Sequence, residues 1–152
     1  MESQWTVSPA LSPTTTYYWR VKAKNSCGSS SWSEVWKFKT KPTITVTSPN
    51  GSENWQAGTT QTINWTYTGK PGSYVKIELF KGGTWKSTIK ASKPIGSNGS
   101  GYHNWTIPVN QKAGCDYQIK ITSTTNSIVK DKSDGNFCIY LYLSVIIRNC
   151  YY

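Results

Sequence analysis

The chain has 152 residues, 17 of them Lys or Arg and 7 Asp or Glu, so a net charge of +10 rests on a composition only 16 % charged. That length holds one domain of common size and part of another, and 8 Trp and 10 Tyr among many Thr, Ser, Asn and Gly favour strands and turns over helices. The basic residues stand singly (Lys22, Lys24, Lys37, Lys39, Lys76, Lys86, Lys90) with one Arg before the tail, which excludes a dedicated nucleic-acid module and leaves solvated strand faces, guards against edge pairing, or a face for a polyanion.

In chain order, the amino terminus MESQWTVSP lacks a basic segment followed by an apolar core, so no secretory signal is read there. Strands are predicted over 4–7, 17–24 and 35–39, with Trp19, Val21 and Ala23 on one face and Tyr18, Arg20, Lys22 and Lys24 on the other. The residues Leu11-x-Pro13-x-Thr15-x-Tyr17-x-Trp19-x-Val21-x-Ala23, then Asn25, Gly28, Trp32-Ser33 and Phe38-x-Thr40, resemble the carboxy-terminal half of a fibronectin type III domain. That resemblance implies a tyrosine corner at Tyr17, its hydroxyl bonding back to upstream backbone. Only the last three of about seven strands are present, so residues 1–40 are expected to be a partial domain whose Trp19, Val21, Trp36 and Phe38 lack half their partners, and Met1 an internal start or truncation. Lys41-Pro42-Thr43 reads as the linker, since proline after a terminal strand stops pairing.

The second unit is expected over 43–139. The run 44–65, ITVTSPNGSENWQAGTTQTINW, alternates Ile44 and Val46 with threonines, turns at Pro49-Asn50-Gly51 and Ala57-Gly58, and alternates again through Ile63, Trp65 and Tyr67. Further strands are predicted over 74–80, 84–90, 101–107, 116–122 and 135–139, separated by Lys70-Pro71-Gly72, Lys81-Gly82-Gly83 and the loop 96–101. The expected core is Ile44, Val46, Ile63, Trp65, Val75, Ile77, Leu79, Ile89, Trp105, Ile107, Tyr117, Ile119, Ile121 and Phe137. About seven short strands suit an all-β, immunoglobulin-like antiparallel β-sandwich.

The motifs Ser48-Pro49-Asn50-Gly51, Glu53-Asn54-Trp55, Ile63-x-Trp65, Asn104-Trp105-Thr106-Ile107-Pro108, Gly114-x-Asp116-Tyr117 and Asp134-x-Asn136-Phe137, in that order, resemble the Ser-Thr-rich, GPI-anchored, cell-wall-synthesis-type β-sandwich domains of fungal and microbial surface proteins. The resemblance implies an extracellular or cell-surface location, relatives active in cell-wall polysaccharide biology, and no particular ligand. The tail 140–152, YLYLSVIIRNCYY, departs from that pattern; it is too short to span a bilayer and reads as the end of a shifted or shortened reading frame, an extra edge strand, or a membrane-associating segment.

Chemistry is sparse. One histidine, His103, lies on a predicted strand, and the acids Glu2, Glu34, Glu53, Glu78, Asp116, Asp131 and Asp134 offer no obvious glycosidase pair, so no catalytic residue is assigned and the chain is read as not an enzyme. The oxygen-rich run 131–136 does not follow an EF-hand spacing and contains Lys132, so it reads as a β-turn; no metal ligand or cofactor is assigned. Cys27, Cys115, Cys138 and Cys150 lack zinc spacing; Cys115 and Cys138 could bridge if their Cα atoms come within ~7 Å, against the alternative of buried or incidental free thiols. Of four N-x-Ser/Thr sequons, Asn50 and Asn98 lie in loops and are the better glycosylation candidates, whereas Asn64 and Asn104 precede tryptophans expected in the core. Trp55, Tyr74, Trp85 and Tyr102 lie near loops, either as core or rim packing or as platforms for a sugar face. The expected function is a non-catalytic structural or adhesion module, a fragment of a larger multi-domain surface protein, with surface polysaccharide or other surface proteins as partners; the alternative is a carbohydrate-binding accessory module of a secreted polysaccharide-active enzyme.

Overall fold

The computed structural model describes residues 8–142 and is all-β. In the front segment β1 (Thr16–Trp19) pairs antiparallel with β4 (Trp36–Lys39), and β2 (Lys24–Asn25) pairs with β3 (Gly28–Ser29). The strand expected over 17–24 stops being a regular ladder after Trp19. There Ser33 and Ser30 side-chain oxygens accept the Val21 and Ala23 N–H groups at 3.0 and 2.9 Å, in place of a partner strand's carbonyls. The Tyr17 hydroxyl accepts the Ser12 N–H at 2.8 Å, closing the expected corner. Register places Tyr17 opposite Phe38 and Trp19 opposite Trp36, with ring centroids 5.8 and 4.6 Å apart. Among the described residues Trp19, Trp36 and Phe38 are exposed and Tyr17 is half-buried. The strand expected over 4–7 lies outside the described residues.

From Thr43 onward two sheets face each other. Alternating threonines and apolar residues make β5 (Thr43–Ser48), β7 (Thr60–Thr68) and β10 (Ser100–Thr106), which form one sheet in the order β10-β7-β5. The other runs β6-β13-β11-β8-β9, from β6 (Asn54–Gln56), β8 (Tyr74–Lys81), β9 (Thr84–Pro94), β11 (Gly114–Ser123) and β13 (Phe137–Tyr140), with β12 (Lys130–Lys132) added on β11. Nine strands therefore stand where about seven were expected. The additions are short: β6 has 3 residues and β12 has 3. The pairing is not purely antiparallel either, because β6 runs parallel to β13, with Asn54 beside Cys138.

The inward positions build one core. All the expected core residues are buried except Ile89, which packs against the core half-buried; Trp55, Ala57, Ile95, Val129 and Ile139 join them. Trp65 anchors the centre, its indole N–H donating to the Ile95 carbonyl at 2.9 Å. Tyr117 closes a second tyrosine corner: its hydroxyl donates to the Lys112 carbonyl at 2.5 Å and accepts from Gln111 at 3.0 Å.

Two polar devices tie the sheets and turns. The Asp131 carboxylate, on the inward position of β12, accepts the Val46 N–H at 2.8 Å across the sandwich. Ser133, only 2 % exposed, donates to the Pro49 carbonyl at 2.6 Å and accepts the Ile119 N–H at 3.0 Å. The run 131–136 thus uses its oxygens to stitch backbone together.

Candidate functional site

A polar cleft lies on the outer face of the three-stranded sheet. Alternation turns Thr47, Asn64, Thr66 and Tyr102 outward while Val46, Ile63 and Trp65 point into the core. Register sets Tyr102 directly opposite Asn64. The end of β9 and the loop 95–101 then rise beside this face, closing a cleft of about 390 Å³ whose lining includes Thr47, Asn64, Thr66, Lys93, Ser97 and Tyr102. One wall is an exposed phenol ring with the Lys93 ammonium 5.6 Å from its centroid; the others are hydroxyls and an amide. Such a cleft can stack an apolar sugar face and hydrogen-bond its hydroxyls.

The loop holds its shape through close backbone approach. A Cβ on Gly96 would lie 1.9 Å from the Ser100 carbonyl oxygen, and one on Gly101 would lie 2.1 Å from the Ile95 oxygen and 2.6 Å from the Trp65 ring. Ser97 and Ser100 exchange backbone hydrogen bonds at 3.0 Å, and Asn98 sits at their turn with φ 51°. Its side chain is exposed. The other loop sequon is differently placed: Asn50 donates from Nδ2 to the Asp134 carboxylate at 2.8 Å and accepts the Asp134 N–H at 2.7 Å. A glycan on that nitrogen would crowd a clasp in which Gly51 and Gly135 already pack back to back.

Of the four aromatic candidates, Tyr74, Trp85 and Tyr102 are 47, 55 and 60 % exposed, and the fold does not gather them into one site. Only Tyr102 lines the cleft; Trp85 lies on β9 opposite Phe80, on the other sheet. Trp55 takes the core alternative and drops out as a ligand-facing ring. It is 7 % exposed, its ring 4.9 Å from Phe137 and 6.3 Å from Trp105 between centroids, because pairing of β6 with β13 turns it into the core. The alternation Asn54-Trp55-Gln56-Ala57, with Trp55 and Ala57 both buried, was the signal for that strand. Asn64, Thr66 and Lys93 carry no local signal of a site, since their meeting depends on register and on where β9 ends.

His103 faces Ile63 across the β10–β7 pair and is partly buried; burial, then the Lys93 and Lys90 charges, hold its pKa below the usual 6.5. Glu78, 6 % exposed, takes Lys76 at 2.8 Å and Lys120 at 3.7 Å. Lys81 pairs with Asp116. These carboxylates are committed to lysines, and among the described residues no three His, Cys, Asp or Glu side chains gather in a metal-holding group.

Cys115 and Cys138 form a disulfide, with Cα atoms 3.8 Å apart, which resolves the alternative of free thiols for this pair. The cause is a bulge: between the partners Gly114/Ile139 and Tyr117/Phe137, two residues of β11 oppose the single Cys138. Cys27 is a free, exposed thiol, and Cys150 lies outside the described residues.

The two facing sheets define an immunoglobulin-like β-sandwich. Residues 48–135 match the model of the Kre9/KNH-like N-terminal Ig-like domain, and the chain belongs to that family, a cell-wall-related type of surface domain. Ig-like families are typically non-catalytic. No curated protein matches the chain. Among solved structures it is similar to the titin domains z1z2 in complex with telethonin, at 14 % identity and a TM-score of 0.39, covering 89 % of this chain and 66 % of that one.

Proposed function

We propose that the chain is a non-catalytic structural or adhesion module working outside the cell as part of a larger multi-domain surface protein. The observation that carries this reading is the Cys115–Cys138 disulfide, set on a sheet's outer face with Cys115 exposed, where only an oxidising compartment would preserve it. The outer face of β5, β7 and β10 adds support, since Thr43 pairs with Thr68 and Thr60 with Thr106 through hydroxyl contacts of 2.7 and 2.8 Å, giving an uncharged, hydroxyl-rich surface. Residues 8–42, with the Tyr17 corner, are consistent with part of a fibronectin type III unit placed before it. Thiol alkylation of the protein taken directly from cells tests the location: Cys115 and Cys138 should react only after reduction, and free thiols at both would remove the extracellular reading. Incubation of the folded full chain with polysaccharides should release no reducing ends; release that scales with the protein would remove the non-catalytic one.

A second reading, a carbohydrate-binding accessory module, is favoured by the Tyr102 cleft. Titration against neutral oligosaccharides decides between them. Binding that Tyr102→Ala weakens by about tenfold, the worth of one stacking contact, would favour the accessory module; no binding at millimolar sugar would leave the spacer.

A further inference from the structure

On the far side of the molecule, the outer face of the six-stranded sheet carries a feature that neither reading uses. Phe80, half-buried on β8, is flanked by the Lys120 and Lys132 ammonium groups, 5.4 and 5.7 Å from its ring centroid. Register brings Lys132 directly opposite Lys120, places Lys130 one outward position along β12, and sets Trp85, 55 % exposed, opposite Phe80 on β9. Phe80, Asp131 and the three lysines line a cleft of about 420 Å³.

The charges there do not cancel. Glu78 is held by Lys76 and Lys120, while among the described residues Lys130 and Lys132 have no acidic partner. Asp131, between them in sequence, also lines the cleft, but its Oδ2 is taken by the Val46 N–H. Protection of an edge strand accounts for lysines on β12. It does not account for Lys132 meeting Lys120 over an aromatic ring, with Lys130 beside them in the cleft, where cations are brought close at an electrostatic cost that an incoming anion would relieve.

We propose that this face binds an anionic polysaccharide, its sugar faces lying on Phe80 and Trp85 and its carboxylate or ester-sulfate groups paired with Lys120, Lys130 and Lys132. Charge complementarity selects the anion, and an aromatic floor beside the lysines selects a glycan over a flexible acidic peptide. The net charge of +10 would speed encounter. The choice of a glycan as occupant rests on the reading of the chain as a surface module; that reading has its own test in the cellular state of the Cys115 and Cys138 thiols, so the two can fail separately.

The full chain should be titrated with polygalacturonate, dextran sulfate and uncharged dextran, and with polyglutamate and duplex DNA, across a range of salt. Binding to one or both anionic polysaccharides and not to dextran is expected. Lys130→Gln/Lys132→Gln, at two exposed positions, should lose about tenfold in affinity and reduce the slope of log K against log salt by about 2. Lys37→Gln/Lys41→Gln makes the same charge change elsewhere and should lose no more than about twofold. Trp85→Ala should weaken binding with the salt slope unchanged, and the polygalacturonate and dextran sulfate arms separate carboxylate from sulfate recognition. Equal losses in the two lysine pairs, polyglutamate or DNA binding as tightly as the polysaccharides, or no binding by the unaltered chain would each overturn the proposal.

Discussion

Gly101 has no room for a side chain, and its neighbours cannot yield cheaply: one is the Ile95 backbone oxygen, which itself receives the indole N–H of Trp65. Gly101→Ala is therefore expected to destabilise the fold by roughly 2–4 kcal/mol, seen as a lower urea midpoint at unchanged m. Ser133 acts through two bonds rather than through volume. Ser133→Ala would strand the Ile119 N–H in the core and lower stability by about 1–3 kcal/mol in the same measurement. His103 gives a pH signature. Its folded pKa lies below 6.5, so the unfolded chain takes up the proton first; stability is full above pH 6.5 and falls as pH drops toward the folded value. His103→Gln should flatten that part of the stability profile, and an unchanged slope would show that other groups set it. At this scale the inward residues were legible because period-2 alternation writes burial into the sequence. For Trp55 the sequence leaves core and rim open, because its strand has only 3 residues, too few for alternation to decide beside a turn.

The disulfide acts between elements, linking β11 to β13 across a sequence separation of 23. Closing a loop of that length restricts the unfolded chain enough to stabilise the fold by about 3 kcal/mol. Cys115→Ser/Cys138→Ser should lose that amount in urea unfolding, and reductant should lower the unaltered chain to the same level while leaving the variant unmoved. Spacing could not announce this pair, because bridging depends on a bulge that only the completed ladder defines. The long strands β7, β8 and β11 were legible within a residue or two at each end. By contrast β6 and β12 exist through their partners: β6 has a parallel neighbour in β13, and β12 has β11 on one side and the Asp131 contact to Val46 on the other. Nothing local in Lys130-Asp131-Lys132 favours a strand. The cleft beside Tyr102 was hidden for a similar reason, since Lys93 reaches it through a β9 that continues to Pro94, past the expected end at 90.

Across the whole molecule the apolar surface is unevenly covered. The unit after Thr43 buries its core, whereas Trp19, Trp36 and Phe38 remain 42, 49 and 44 % exposed on the β1–β4 pair. A contiguous aromatic face of this kind binds hydrophobic dyes and promotes association. Trp19→Ser/Trp36→Ser should sharply reduce anilinonaphthalene sulfonate fluorescence of the native chain, and undiminished fluorescence would place the exposed apolar area elsewhere. The disulfide also has a mechanical meaning. Tension entering at Thr43 and leaving at Tyr140 would pass along the chain to Cys115, cross the sulfur bridge to Cys138 and leave, so residues 116–137 would bear no load while the bridge is intact. Most of β11, the whole of β12 and the Ser133 stitch lie in that sheltered stretch. Pulled to full extension, the oxidised chain would come up short of the reduced one by about 75 Å, the contour of the shielded segment. A cell could then lengthen this tether by chemistry alone, without changing a residue.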